Sequence, residues 1–146
     1  MSISVDTPDL IIIYPNNRKI GFGDLANDIA AITPPMQSAL LYSYIQAEGF
    51  NVQLLDAESR NLSPDEVAME IGEKSPKLVC ISTDSLNSGD ITKISGAIAV
   101  SKAIKINTPS IQIAIEGIVP TVYPERILKE SLANYVLRGE VYAGLA

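Results

Sequence analysis

A chain of 146 residues, of which 47% are apolar, is predicted to form one domain with a sizeable core. Its formal net charge of −6 argues against a nucleic-acid partner, and its scattered basic residues and lack of a long apolar stretch argue against a membrane. Histidine is absent and Cys80 is the single cysteine, which excludes imidazole catalysis, imidazole metal sites and an internal disulfide and favours the cytoplasm.

Short apolar runs, each ended by a polar or glycine-bearing loop, are the main secondary-structure signal. They cover residues 10–14, 52–56, 78–82, 111–115 and 135–138. Three of these runs are nearly continuous Ile, Val and Leu, which is typical of strands covered on both faces. The segments between them have helical periodicity and helical start signals. We therefore predict an α/β fold: a three-layer, doubly wound, five-stranded parallel sheet.

The connection after strand 1, residues 15–33, is unusually long. Its length is typical of a lid, a binding loop or a disordered segment. Thr33, followed by two prolines, is predicted to cap helix 1, which should run over residues 34–48 and end before Gly49.

The later helices also have recognisable starts. Residues 63–66, Ser-Pro-Asp-Glu, form a capping box that predicts helix 2, ending near Lys74. An apolar stripe predicts helix 3 over residues 90–106, and Pro124 is predicted to begin helix 4. Neither an internal repeat nor a second domain is evident.

In such a sheet, ligands bind over the carboxyl ends of the strands. Residues 82–85, Ser-Thr-Asp-Ser, follow strand 3 and place small hydrogen-bonding side chains at that edge. Glu116 and Gly117 follow strand 4, where a glycine permits a positive φ or the close approach of a ligand. Helix capping and a tight turn remain equally good explanations of the two loops.

Other ligands of doubly wound sheets fit poorly. Residues 21–26 have the GxGxxA spacing of a dinucleotide fingerprint, but six residues separate them from strand 1 and Pro34 breaks the helix that should follow. Residues 14–18 lack both the acidic pair of a phosphorylated receiver domain and the glycine-rich turn of a flavodoxin. We identify no base, nucleophile or metal-ligand set, so no catalytic or metal-binding residue is predicted.

Several segments, taken in order and with their spacing, match one known family. They are Pro34-Pro35 with the helix that follows, residues 48–52, 54–58, 62–67 and 76–82, Pro120-Thr121, Pro124-Glu125 and residues 136–140. Together they resemble the N-terminal cobalamin (B12)-binding domain of cobalamin-dependent radical SAM enzymes. Residues 1–140 are accordingly expected to form a cobalamin-binding-like domain, and 141–146 to begin a linker to a missing C-terminal domain.

The resemblance implies a Rossmann-like or flavodoxin-like strand order, 2-1-3-4-5, with the corrin across the strand ends and residues 15–33 over one of its faces. The nucleotide tail would enter beside the loops after strands 3 and 4. The implied cofactor-binding residues are Thr33, Ser82, Thr83, Asp84, Ser85, Glu116, Gly117, Ile118, Pro120, Thr121, Gly139 and Glu140. Cobalt would lack the imidazole that an Asp-x-His-x-x-Gly loop supplies in other cobalamin proteins, because the chain has no histidine.

The function that the resemblance implies is a corrinoid-binding module of a B12-dependent radical SAM enzyme of the methyltransferase type. Its partner would be a radical SAM domain, in cis or in trans. S-adenosylmethionine and a 4Fe-4S cluster would belong to that domain, because Cys80 alone cannot hold a cluster. The alternative is a non-catalytic interaction domain of the same fold that no longer binds cobalamin. Glu116 is the residue that suggests this alternative, because the family usually has glycine there and a carboxylate would repel the phosphate of the nucleotide tail.

Overall fold

The computed structural model describes residues 7–84 and 92–146. Within these residues the strands are β1 (Leu10–Tyr14), β2 (Val52–Asp56), β3 (Leu78–Ser82), β4 (Gln112–Glu116) and β5 (Tyr135–Val136). All neighbouring strands pair in parallel, and they form one five-stranded sheet in the order β2-β1-β3-β4-β5. The predicted α/β class, parallel sheet and strand order are confirmed.

The helices of the described ranges lie between the strands and after the last one. They are α1 (Arg18–Phe22), α2 (Ala26–Ile29), α3 (Met36–Ala47), α4 (Pro64–Lys74), α5 (Lys93–Asn107), α6 (Ile118–Val122), α7 (Pro124–Ser131) and α8 (Tyr142–Leu145). A 3₁₀ turn (Gly23–Leu25) joins α1 to α2. In this part of the chain, no helix is both long enough and apolar enough to cross a bilayer.

Strand β1, which lies between β2 and β3, is buried along its whole length because alternate residues enter two separate apolar clusters. Ile11 and Ile13 belong to a large cluster that includes residues of α4, α5 and α7. Leu10 and Ile12 belong to a smaller cluster formed with α3 and with residues 137–145. Burial on both faces explains why this strand is continuously apolar instead of alternating.

Helix α4 starts as the capping box predicts. The Ser63 hydroxyl accepts a hydrogen bond from the Glu66 backbone N–H, and the Glu66 carboxylate accepts one from the Ser63 N–H at 2.8 Å. The predicted start of helix 1 is wrong, however. Helix α3 begins at Met36 after Pro35, and no side chain caps it. A residue that precedes proline disfavours helical backbone angles, which applies to both residues 33 and 34.

The predicted bounds of the last two strands are also wrong in detail. Strand β4 lies one residue further along than 111–115, so Glu116 is its last residue and not the first residue of a loop. Strand β5 ends at Val136, not at residue 138. The reason is that Arg138 and Gly139 donate hydrogen bonds to Thr121, at 3.2 and 3.0 Å, and so turn toward α6.

Residues 15–33 form short helical turns that are held against the sheet. The Asn17 side-chain oxygen accepts a hydrogen bond from the Gly96 N–H of α5 at 3.1 Å. The guanidinium of Arg18 donates to the Ala26 carbonyl at 2.9 Å, which closes the segment on itself. The predicted start of helix 3 at residue 90 and the predicted site residue Ser85 lie outside the described residues.

Candidate functional site

The loops after β3 and β4 are joined directly to each other at the carboxyl edge of the sheet. The backbone N–H and the hydroxyl of Thr83 both donate to the Glu116 carbonyl, at 3.1 and 2.8 Å. The Asp84 carboxylate accepts a hydrogen bond from the Ile118 N–H at 2.9 Å. The structure therefore brings Thr83, Asp84, Glu116 and Ile118 together, as neighbouring parallel strands should.

Gly117 is required by the way these loops meet. Its φ of 132° and ψ of −174° lie in a region that is essentially restricted to glycine. A Cβ atom at this position would lie 2.2 Å from the Thr83 hydroxyl oxygen and 2.9 Å from a carboxylate oxygen of Asp84. The positive φ considered from the sequence is therefore present, and the group that approaches the glycine is the side chain of Thr83.

Glu116 is an almost fully buried carboxyl group, 5% exposed, at the end of β4. Burial raises its pKa to about 7, nearby Asp84 adds to the increase, and the Ser82 hydroxyl offsets part of it. Ser82 pairs in register with Glu116 across β3 and β4. Its own oxygen is buried without a well-formed hydrogen bond to any described residue. This end of the sheet thus holds polar groups whose hydrogen-bonding capacity is incompletely used.

A cavity of about 130 Å³ opens beside Glu116. Asp84, Glu116 and Glu140 line it, facing Gln37 and Leu41 of α3, and residues 139 and 141–142 complete its wall. A cavity with this lining favours cations and hydrogen-bond donors over anions. Across residues 7–84 and 92–146, no group of three or more His, Cys, Asp or Glu residues is placed to hold a metal ion.

Of the remaining predicted residues near this edge, Pro120 is buried in α6 and Thr121 bonds within the chain. The Thr121 hydroxyl accepts the hydrogen bond from the Gly139 N–H, which holds residues 138–139 beside α6. Gly139 and Glu140 in turn reach the cavity. Thr121 therefore positions part of the cavity wall and is not itself among the lining residues.

Thr33 belongs to a different part of the edge, over β1 and β2. Its hydroxyl lies 3.0 Å from the Tyr14 hydroxyl and donates to the Glu58 carboxylate at 3.0 Å. The other Glu58 oxygen pairs with the Lys93 ammonium, which also lies 4.2 Å from the centre of the Tyr14 ring. This arrangement holds the end of the 15–33 segment to the sheet.

Sequence reasoning did not identify Glu58 or Lys93. One signal was available: a lysine in the first turn of α5 is unfavourable beside the positive end of the helix dipole. A nearby carboxylate compensates for that arrangement. Glu58, two residues beyond β2, was one of several acidic residues in the sequence that could have been the partner of Lys93.

The loop after β1 places a further hydrogen-bond donor at this edge. Asn16, Arg18 and Gly21 have the spacing of Asp, His and Gly in an Asp-x-His-x-x-Gly loop. The Asn16 side-chain oxygen accepts a hydrogen bond from the Arg18 N–H at 3.1 Å. Arg18 Nε is buried and lacks a hydrogen-bond partner among the described residues. It is therefore a donor available at the same edge as Ser82.

The surface of the 15–33 segment is strongly apolar. Its large side chains are between 47% and 62% exposed: Ile20, Phe22, Leu25, Ile29 and Ile32. Exposed apolar groups concentrated in this way mark a surface for binding a ligand or a partner. Because Thr33 bonds to Tyr14, the last residue of β1, and Asn17 bonds to Gly96 of α5, this surface lies at the carboxyl edge, where ligands of doubly wound sheets bind.

A less acidic cavity of about 380 Å³ lies at the start of α4. Asn16, Lys19 and Ile20 line it on one side, and Asn61 and Glu66 are among the residues opposite. The Asn16 amide donates to the Asn61 side-chain oxygen at 3.2 Å across this opening.

Comparison with solved structures gives matches in S-adenosylmethionine radical enzymes. Two structures of the radical S-adenosylmethionine methyltransferase TsrM from Kitasatospora setae are 18% identical to this chain. One, with a tryptophan substrate and a SAM analogue bound, has a TM-score of 0.68 and covers 92% of this chain and 23% of that protein. The other, with cobalamin and a 4Fe-4S cluster bound, has a TM-score of 0.67, with coverages of 93% and 23%.

A further match is the cobalamin-dependent S-adenosylmethionine radical enzyme OxsB with aqua-cobalamin and S-adenosylmethionine bound. It is 13% identical, with a TM-score of 0.65, and the match covers 94% of this chain and 18% of that protein. At these identities the likeness establishes the fold, and the chain spans less than a quarter of each of these proteins. A comparison with curated proteins found no match.

The family comparison is decisive because it covers most of the chain. The model of the family described as B12 binding domain matches residues 24–145. This match confirms the family expected from the sequence, with cobalamin as its cofactor. It extends beyond residue 140, and Val141 is indeed buried in the smaller cluster with Tyr142 and Leu145 packed beside it. The chain belongs to the B12 binding domain family.

Proposed function

We propose that this chain is the corrinoid-binding module of a B12-dependent radical SAM enzyme of the methyltransferase type. Family membership supports the cofactor. The structural matches support a radical SAM domain as the partner, in cis or in trans, with S-adenosylmethionine and the 4Fe-4S cluster held by that domain. The cytoplasm is the proposed location because the single cysteine fits a reducing compartment.

The observation that carries the proposal is the exposed apolar surface of residues 20–32 at the carboxyl edge. A corrin is a broad, flat macrocycle. Contact with Phe22, Leu25 and Ile29 would remove apolar area of both the corrin and the protein from water. Such burial is worth roughly 25 cal/mol per Å². The 15–33 segment would then form one wall of the corrin site, as the resemblance implies.

The polar groups of the edge also fit a corrin, which has amide side chains around its rim. Ser82 Oγ and Arg18 Nε lack well-formed hydrogen bonds to described residues and are donors for amide carbonyl oxygens, and Glu116 and Asp84 are acceptors for amide N–H groups. Thr83 and Thr121 would act by shaping the loops, since their hydroxyls bond to backbone groups of the chain. When bound, the corrinoid would supply a cobalt centre able to carry a methyl group.

The module would hold the corrinoid without a protein imidazole on cobalt, because the chain contains no histidine. Its own residues would bind the corrin, orient it and exclude water from one face. The opposite face would remain open to the partner domain. By itself the chain is expected to catalyse no reaction.

Gel filtration of the purified chain after incubation with aquacobalamin tests the proposal. We expect about one equivalent of corrin absorbance to remain with the protein. Leu25→Asp places a charge on the apolar surface and should weaken binding about tenfold or more. Ile106→Asp is the matched control, because Ile106 is 77% exposed at the far end of α5, near the opposite edge of the sheet. Absence of retained corrin from the native chain, both with aquacobalamin and with diaquacobinamide, would refute the proposal.

The second candidate function is an interaction domain of the same fold that no longer binds cobalamin. The small acidic cavity beside Glu116 favours it. Under this alternative, the native chain retains no corrinoid of any kind and Glu116→Gly creates binding. Binding by the native chain would exclude it.

A further inference from the structure

The cavity beside Glu116 is unsuited to a phosphate. Asp84, Glu116 and Glu140 line it, and no Lys or Arg is among its described lining residues. Each ionised carboxylate repels the negative charge of a phosphodiester. The charge of this lining therefore disfavours an anionic group.

The end of β3 beside Glu116 is nevertheless polar, although Ser82 is not among the residues that line the cavity. Ser82, whose hydroxyl is buried without a well-formed bond to any described residue, pairs in register with the almost fully buried Glu116. Groups buried in this way are normally satisfied by a partner. A neutral amide or hydroxyl of a ligand could form a hydrogen bond with the Glu116 carboxyl, which lines the cavity, whereas an anionic oxygen is repelled by it once it is ionised.

The cavity is also small. Its volume of about 130 Å³ is below the roughly 300 Å³ at the lower end of ligand pockets. Gly117 does not enlarge it, because Thr83 Oγ1 occupies the space beside that residue. There is room for a short side chain and not for a phosphate, a ribose and a benzimidazole base together.

We propose that this module selects corrinoids that lack a phosphate-bearing tail, the cobinamide class, over cobalamin, and that Glu116 determines the selection. The inference rests on the proposed function and specifies its ligand. A bound cobalamin would keep its tail outside the sheet, against the repulsion of Asp84, Glu116 and Glu140. A cobinamide would place only neutral amides and a short hydroxyl-ended chain at this cavity.

The test compares dissociation constants for three corrinoids at pH 8, where Glu116 is mostly ionised. These are diaquacobinamide, cobinamide phosphate and aquacobalamin. The native chain should bind cobinamide at least about threefold more tightly than either of the other two. Glu116→Gln, which keeps the shape and removes the charge, should shift the ratio toward the phosphate-bearing ligands. Glu116→Gly should shift it further by adding space.

Glu116 is almost fully buried, so its variants could fold poorly. Two variants of exposed residues therefore test the same charge effect without that risk. Glu140 is exposed, so Glu140→Gln is expected to fold normally and to shift the ratio in the same direction by less. Glu73→Gln removes an exposed charge near the end of α4, at the opposite edge of the sheet, and should leave the ratio unchanged.

The possible results separate this inference from the proposed function. Preference for cobinamide that weakens in Glu116→Gln and Glu140→Gln, but not in Glu73→Gln, supports it. Equal or tighter binding of cobalamin by the native chain overturns it while the proposed function stands, and so does a ratio that neither cavity variant moves. Failure of the native chain to bind any of the three corrinoids overturns both this inference and the proposed function.

Discussion

Lys93 and Glu58 form an ion pair in which both side chains are almost completely buried, 3% and 4% exposed, although they are 35 residues apart in the chain. The Lys93 ammonium also donates to the Pro15 carbonyl at 3.3 Å. Thr33 donates to Glu58 through its hydroxyl and its backbone N–H. One buried pair thus ties both ends of the 15–33 segment to β2 and α5.

Breaking this pair should cost much of the stability of the domain. Glu58→Gln leaves the Lys93 ammonium buried without its countercharge, which typically costs 3 to about 5 kcal/mol of the free energy of unfolding. Urea denaturation followed by circular dichroism measures this. The control is Glu130→Gln, which breaks the exposed pair of Arg126 and Glu130 and should cost less than about 1 kcal/mol. Equal losses in the two variants would show that the buried pair contributes no more to the free energy of unfolding than the exposed pair does.

A methyl group at Gly117 should disrupt the junction of the β3 and β4 loops. Gly117→Ala forces alanine into a glycine-only region and against Thr83, so we expect a loss of about 3 kcal/mol or more in the free energy of unfolding. Gly139→Ala is the comparison, since Gly139 has a milder positive φ of 70° and no atom within 4 Å of a Cβ. That variant should lose only the strain, about 1 to 2 kcal/mol. A similar loss in both variants would contradict the importance of the Thr83 contact.

Glu116 should give the stability of the domain a distinctive pH dependence. Its folded-state pKa, about 7, is above the ordinary value of 4.5, so between these two values the folded chain binds a proton that the unfolded chain has released. Stability therefore falls as pH rises through this interval and levels off above pH 7. Glu116→Gln should remove this contribution, so that its stability relative to the native chain increases by roughly 3 kcal/mol from pH 4.5 to pH 7.

Glu66 provides a control of the opposite sign. The hydrogen bonds from Ser63 lower the pKa of the Glu66 carboxyl, so its contribution is present above the ordinary value and is lost as the pH falls through the lowered one. Glu66→Gln should destabilise the domain at neutral pH, and the difference should vanish in acid. Parallel stability curves for native chain and Glu116→Gln would contradict the raised pKa of Glu116.

Thr33 should determine how firmly the 15–33 segment is held. Thr33→Val preserves the shape of the side chain but removes its hydrogen bonds to Tyr14 and Glu58. A hydrogen bond to a charged group contributes about 1.5 to 3 kcal/mol, so amide hydrogen exchange within residues 18–33 should accelerate more than in the sheet. Ser43→Ala removes an exposed hydroxyl of α3 that bonds only to Ala39 and should leave exchange unchanged. Equal protection in Thr33→Val would mean that the segment is held elsewhere.

The elements that were predictable from the sequence are those specified by neighbouring residues. Continuous apolar runs identified strands buried on both faces, and the capping box at Ser63 located the start of α4. The bounds that failed, at the start of α3 and the end of β5, depended on two adjacent prolines and on hydrogen bonds from residues 138–139 to Thr121. The start of α3 could have been predicted from the two prolines alone, whereas the end of β5 required the position of α6.

The candidate site likewise has features that depend on neighbouring residues and features that depend on residues far apart in the chain. The sequence by itself determined that polar residues 82–84 and 116–117 would meet at one edge, because the carboxyl ends of parallel strands coincide. Only the tertiary structure decided that Thr83 fills the space beside Gly117, that Glu58 compensates Lys93, and that burial raises the pKa of Glu116. Each of these depends on distances between groups far apart in the chain, and dielectric screening and steric contact act through those distances and not through sequence order.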